Sequence, residues 1–163
     1  MSKHSSSLSR TQLSTIVVLR ILIGWYFLYE GVAKLLTPGW SSYAYLVDSQ
    51  GLFAPMFNAL AQNQALMPII DWFNIIGLTV VGLALVLGVF ERTAAVGGML
   101  LLLLYYFSHP ALIDVTYIMP PEGSYLWINK NIVLLGALLV IWAIPTADRV
   151  GLRRMFRLRR NSA

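Results

Sequence analysis

The chain has no cysteine. That removes disulfides, thiolate nucleophiles, cysteine-ligated iron–sulfur clusters and cysteine-based zinc sites together. Histidine is nearly absent too: the 2 residues are His4, in the N-terminal tail, and His109. A bis-histidine haem held across a membrane by this chain is therefore excluded. No covalently bound cofactor and no metal site are expected, and any redox chemistry needs a diffusible or partner-borne carrier. Charge is scarce, at 12% of residues against 58% hydrophobic. There is no glycine-rich phosphate loop, no HExxH pair, no nucleophile elbow and no convincing internal repeat.

What remains is long apolar segments, a membrane composition in which 163 residues suffice for one small bundle without a separate soluble domain. The net charge of +5 does not point to nucleic acid, because half of the Lys and Arg residues fall between Arg149 and Arg160. Directly after the last apolar segment, they read as a membrane-flanking basic tail, residues 149–163. Residues 1–11 are Ser-rich and basic and read as a disordered tail. The domain between, residues 12–148, has expected spans at about 12–36, 68–90, 93–109 and 126–144. The first run is too long and too charged for a signal peptide and lacks a small-residue cleavage site, so it reads as a membrane helix.

The segment from Pro38 to Met67 is neither a span nor an ordinary loop. It holds apolar residues at helical spacing in two pieces too short to cross a bilayer, separated by Gly51 and Pro55. Two readings stand: short interfacial helices over the mouth of the bundle, or a passive surface loop. The expected fold is all-α, a four-helix transmembrane bundle with short interfacial helices in the first extracytoplasmic loop.

Neither this segment nor the loop from Pro110 to Tyr125 contains a Lys or Arg, whereas the two tails and the Glu91-Arg92 turn do. The positive-inside rule then puts both termini in the cytoplasm and both long loops outside, in a multi-pass protein of a bacterial or archaeal cytoplasmic membrane. The lipid bilayer is the first expected partner.

The segment VLRILIGWYFLYEGVAKLL, Val18 to Leu36, organises the rest. At a helical period Arg20, Gly24, Phe27, Gly31 and Lys34 share one stripe, with Glu30 beside it. Ionisable groups in a span cost roughly 2.5–3.5 kcal/mol each on insertion scales, so they face protein or water. The topology gathers Glu30, Lys34, Asp71, Asn74, Trp127, Asn129, Lys130 and Asn131 toward the outer ends of their spans. That suggests an outward-facing polar pocket floored by Arg20 and roofed by the Pro38–Met67 segment. In it Lys34 and Lys130 can hold an anion, Glu30 and Asp71 can move protons, and Phe27 can meet a ring. The plainer alternative is a structural polar face: Glu30 and Lys34 pair at i, i+4, Arg20 snorkels, and the asparagines bond their neighbours. His109, before Pro110, reads as a loop residue.

The first-span pattern LRILIGWYFLYEGVAKL and the fourth-span pattern WINKNIVLLGALLVI resemble the DoxX/DoxD family of four-helix membrane proteins. In that family an Arg, a Gly and a Lys recur in the first helix and a polar, Asn-bearing start recurs in the last. The resemblance places these at Arg20, Gly31 and Lys34, and at Asn129, Lys130 and Asn131. DoxD is the small membrane subunit of thiosulfate:quinone oxidoreductase. The resemblance therefore implies a quinone-linked enzyme with quinone as diffusible acceptor and a DoxA-like second subunit. Catalytic roles then fall to Lys34, Glu30 and Lys130, and substrate or quinone contacts to Arg20, Phe27, Gly31, Asp71, Asn74, Trp127, Asn129 and Asn131. The alternative is a non-catalytic membrane partner, a small-solute carrier or a homo-oligomer whose polar cluster serves assembly.

Overall fold

The computed structural model describes residues 8–112, 115–118 and 125–152. The described chain is helical, in the order α1 (Arg10–Leu36), α2 (Tyr43–Val47), α3 (Ala54–Gln62), α4 (Met67–Leu87), α5 (Glu91–Ser108) and α6 (Lys130–Ala143). Residues 1–7, half of the second long loop, with Asp114 and Glu122, and the Arg-rich stretch from residue 153 onward lie outside the described residues.

Each boundary has a local cause. Ser9 and Gln12 form a reciprocal capping box that starts α1, and Thr37-Pro38-Gly39 ends it. Pro68 sits in the first turn of α4, where its missing N–H costs nothing. Gly88 ends α4 in the left-handed conformation at φ 66°. The α4–α5 turn thus lies at Gly88–Phe90, and Glu91 is already helical, where the sequence had suggested a turn at Glu91-Arg92. The last helix begins at Lys130 rather than near Leu126. Residues Tyr125–Ile128 instead form a tight turn, closed by an antiparallel bridge, with Leu126 at φ 49° and Trp127 at φ 73°. Asn129 then caps α6, its side chain accepting from Asn131 N at 3.0 Å and Ile132 N at 3.3 Å.

The four longer helices pack as antiparallel neighbours in the order α1–α4–α5–α6, with α6 touching α1. The α1–α4 seam is built on glycine. A methyl on Gly31 would run into Thr79 Oγ1, and one on Gly82 into the backbone of Leu28. One on Gly24 would stand 2.9 Å from Leu85 Cβ. Side chains are absent there so that the two backbones can meet. Phe27, Leu85, Leu102, Leu138 and Ile141 fill the centre, and all are almost completely buried. A second cluster (Leu46, Phe57, Ala61 and Met67) seats α2 and α3 on the start of α4. The segment after α1 is therefore a folded roof over one end of the bundle.

The outward faces of the long helices are apolar, with Leu22, Trp25, Phe73, Ile76 and Val80 all exposed. At 27 and 21 residues, α1 and α4 are long and apolar enough to cross a membrane. Their helical rise gives about 40 and about 31 Å, against about 30 Å for a hydrocarbon core. The 14-residue α6 is apolar but shorter.

Candidate functional site

The roofed end holds a cavity of about 270 Å³ lined by Lys34, Leu35, Thr37, Gly39, Trp40, Pro68, Asp71, Trp72 and Ile75. It forms where the end of α1, the turn at residues 37–40 and the start of α4 fail to close. Lys34 reaches in from α1 with its side chain 19% exposed and its Nζ 3.5 Å from Glu30 Oε2. The same ammonium stands over the rings of Trp40, at 5.4 Å, and Tyr105, at 5.6 Å. Aromatic faces attract a cation through their quadrupoles. The charge is thus held in place by two rings and a carboxylate rather than solvated in the open.

Asp71 faces Lys34's cavity from α4. One of its oxygens accepts from both the backbone N–H (2.8 Å) and the hydroxyl (2.5 Å) of Ser42. This double bond of roof to bundle fixes the start of α2. Asn74, one turn further, donates Nδ2 to the Tyr105 hydroxyl at 2.7 Å. Its Oδ1 has no hydrogen-bond partner among the described residues. Tyr105 thus joins Lys34, through its ring, to Asn74, through its hydroxyl. Lys34, Glu30, Asp71 and Asn74 form one neighbourhood.

The remaining sequence-selected residues are placed elsewhere. Arg20 lies 14 residues before Lys34 on the same helix, about 21 Å along its axis at helical rise, so it does not floor this cavity. It sits at the opposite end, buried to 2% exposure, with Nη1 3.7 Å from Glu91 Oε2. Its Nη1 also donates to Thr146 Oγ1 at 2.8 Å and to the Val150 carbonyl at 2.9 Å. Phe27 is in the core and does not line this cavity. Gly31 is packed against Thr79. Lys130 is exposed and stands over the Tyr26 ring at 5.1 Å. Trp127 is 61% exposed on the tight turn and contributes its backbone, the carbonyl accepting from the Tyr106 hydroxyl at 2.9 Å. Asn129 is the helix cap and donates Nδ2 to the His109 carbonyl at 3.4 Å. Asn131 is fully buried, and its Nδ2 has no partner among the described residues.

The sequence reading passed over Glu91, Trp40 and Ser42. Glu91 looked like a turn residue, yet it is completely buried and accepts from Thr146 N at 2.8 Å and Ala147 N at 2.5 Å. Its partners are far away in sequence, so no local spacing reveals them. A buried acid opposite a span arginine was the one available signal.

A helical chain whose long helices turn apolar faces outward and hide ionisable groups inside belongs to the class of membrane-associated proteins. More narrowly, the chain belongs to the DoxX family: the family model for DoxX matches residues 15–110, from the first turns of α1 through the end of α5. The cavity, its roof and Glu91 all fall within that match. Neither a comparison with curated proteins nor one with solved structures gave a match.

Proposed function

We propose that this DoxX protein is a four-span protein of the cytoplasmic membrane with both termini inside, and that the cavity beside its roof takes a small, electron-rich head group. The reading closest to the DoxD-like resemblance is the membrane subunit of a thiosulfate:quinone oxidoreductase. The topology rests on the absence of Lys and Arg from both long loops. The observation that carries the site is Lys34, a cation four-fifths shielded from solvent, braced by Trp40 and Tyr105 on the wall of a cavity. A planar carbonyl ring suits such a lining, which offers two indoles, an ammonium donor and the Asp71 carboxylate.

A quinone-class acceptor takes up two electrons and two protons. Those electrons come from two thiosulfate anions as they join through a new sulfur–sulfur bond. The chain's own contribution is positional. Lys34 offsets negative charge that grows on an oxygen beside it, and a fixed cation in a poorly hydrated site does so better than water. Glu30 and Asp71 are the carboxylates within reach for proton exchange.

A second reading is favoured by one contact: Glu30 sits four residues before Lys34 and already neutralises it. In that case the pair is structural and the protein serves as a non-catalytic partner subunit or small-solute carrier. Lys34→Met separates the two. Glu30 is 36% exposed, so losing its partner costs little and the protein still folds. On the redox reading quinone-dependent turnover falls on the order of 10²–10³-fold with a normal level of inserted protein. Lys34→Arg keeps part of it. If Glu30→Gln combined with Lys34→Met restores turnover, Lys34 only balanced Glu30 and the redox reading fails.

A further inference from the structure

The Lys34 cavity opens where the glycine seam between α1 and α4 stops. Lower down, Gly24 meets Leu85, Gly82 meets the Leu28 backbone and Gly31 meets Thr79, so the helices close on each other. One turn above Gly31 the pattern changes. Here α1 presents Leu35 and α4 presents Ile75, two large side chains that line the cavity. Their bulk holds the backbones apart, and α1 ends one residue later, at Leu36. The cavity is thus a notch at the head of a closed seam. Two of its lining residues, Leu35 on α1 and Trp72 on α4, are each more than half exposed on the outside of the bundle.

Three helices give the depth of the notch. The Arg20–Glu91 pair joins α1 to α5 at one end, and Lys34 stands over the Tyr105 ring toward the other. Lys34 is 14 residues from Arg20, and Tyr105 is 14 from Glu91, about 21 Å on either helix at helical rise. On α4, a methyl on Gly88 would lie 3.1 Å from Arg20 Nη1. Ile75 is 13 residues before Gly88 and Pro68 is 20 before it, about 20 and about 30 Å. In the topology proposed above, Arg92, exposed beside the buried Glu91, marks the cytoplasmic edge of the hydrocarbon. Against a core about 30 Å thick, Pro68 then lies near the outer edge, with Lys34 and Ile75 roughly 10 Å beneath it. Helix tilt lowers these heights and sets the notch deeper still. Its exposed side faces lipid.

We propose, resting on the reading of the Lys34 cavity as a head-group site, that it is loaded sideways from the outer leaflet, between Leu35 and Trp72, by a membrane-dissolved amphiphile: a neutral quinone-class head on an apolar tail. With the head beside Lys34, the tail stays in lipid on the outer face of α4. Trp72, Ile76 and Val80 follow one another there at four-residue steps, each more than half exposed. The tail does not enter the seam below, which Gly31 and Thr79 close. The same depth works against a sulfur anion on this route, because an ion gives up its hydration on entering hydrocarbon. This chain then holds the electron acceptor, and the anion is met on the water side by another surface.

The absence of native cysteine makes the gap testable. Leu35→Cys and Trp72→Cys are combined in the full chain, placed in phosphatidylcholine nanodiscs and bridged by a short bis-methanethiosulfonate reagent. The readout is quenching of Trp40 fluorescence by a decyl-tailed benzoquinone, with Trp40→Phe in the same background as control. The bridge is expected to weaken apparent affinity on the order of tenfold or more, and reduction of the bridge restores it. In the native chain, a diazirine at the far end of the decyl tail should label α4 between Trp72 and Val80. Equal affinity in the bridged and reduced forms overturns sideways loading yet leaves the cavity as a head-group site. Labelling confined to residues 37–40 places the tail toward water and overturns the proposal in the same way. Displacement of the quinone by phosphatidylglycerol added to the discs assigns the notch to a phospholipid head and overturns the quinone assignment. If Trp40 is quenched in neither form nor in the native chain, the head-group reading itself fails, and sideways loading fails with it.

Discussion

Arg20 and Glu91 form an ion pair at 3.7 Å in which both side chains are withdrawn from solvent. Glu91 spends its oxygens on the backbone N–H groups of Thr146 and Ala147 and on the Thr146 hydroxyl, while Arg20 takes that hydroxyl and the Val150 carbonyl. One arginine and one glutamate thus tie α1, α5 and the turn after α6 together at the end of the bundle opposite the cavity. The first turns of α1, up to residue 19, project past this knot and are mostly exposed.

The first prediction tests that knot. Glu91→Gln leaves Arg20 as a buried cation without its counter-charge, and removing one partner of a buried pair costs about 3–5 kcal/mol. Arg20→Met strands Glu91 in the same way. The double variant Arg20→Met, Glu91→Gln should recover much of the loss, since no lone charge remains. Thermal unfolding of the purified protein in detergent, read as a double-mutant cycle, gives the coupling. Additive single losses would mean that the two side chains act independently.

A second prediction contrasts glycines. Gly31→Ala places a methyl against Thr79, and Gly82→Ala one against the Leu28 backbone. Backbone cannot step aside as a side-chain tip can, so each should destabilise by about 1–3 kcal/mol. Gly136 in α6 has nothing within 4 Å of the same position. Gly136→Ala should be neutral or stabilise by up to about 1 kcal/mol through helix propensity. Unfolding midpoints of the three variants check the order.

A third concerns alkaline pH. Burial and the nearby Asp48 charge raise the Tyr117 phenol above its ordinary range. For a group with a raised folded value, the stability it contributes is complete below the unfolded value, about 10, and is lost as pH rises through the folded one. The phenol also donates to the Pro110 carbonyl at 2.7 Å, a bond that ionisation removes. Tyr117→Phe should flatten the alkaline end of the stability profile, and Asp48→Asn, by bringing the folded value closer to the unfolded one, should make the alkaline loss smaller. Denaturation midpoints measured from neutral to strongly alkaline pH test both.

The sequence made the all-helical fold legible because apolar runs and their stops are local signals: Thr37-Pro38-Gly39 and Pro145 each sit where a helix must end. The neighbourhood of Glu30, Lys34 and Asp71 was legible for a similar reason, since chain direction alone sends them to one end. Depth was not legible. Counting from the apolar run placed Arg20 mid-bundle, but α1 overshoots its neighbours, and the true level of Arg20 is the first residue of α5. Start points near turns were also misread. Trp127 and Leu126 continue an apolar run into α6, yet their positive φ angles show that the chain is turning there, and Asn129 alone marks the helix start. His109 looked like a loop residue because its partners, Asp48 and Tyr45, come from an earlier loop.

The last prediction concerns the bond that holds the roof to the cavity wall. Ser42 is buried and gives both its N–H and its hydroxyl to the same Asp71 oxygen. Three variants grade this bond. Ser42→Ala keeps the N–H link and loses the hydroxyl, so the roof should stay down with slightly raised mobility. Asp71→Asn keeps an acceptor but loses the charge, which roughly halves the strength of each bond. Asp71→Ala leaves the buried Ser42 N–H without an acceptor, a cost of about 1–3 kcal/mol. Protease cleavage between residues 38 and 62 should therefore rise in the order Ser42→Ala, Asp71→Asn, Asp71→Ala. Quenching of tryptophan fluorescence by a short-chain quinone, read against Trp40→Phe and Trp72→Phe controls, should weaken in the same order, because an open roof lets water reach Lys34 and lowers the value of its charge. If cleavage follows this order but quenching does not change, the roof is held by Ser42 and Asp71 while the quinone sits elsewhere. If neither changes, the bond is not what closes the cavity.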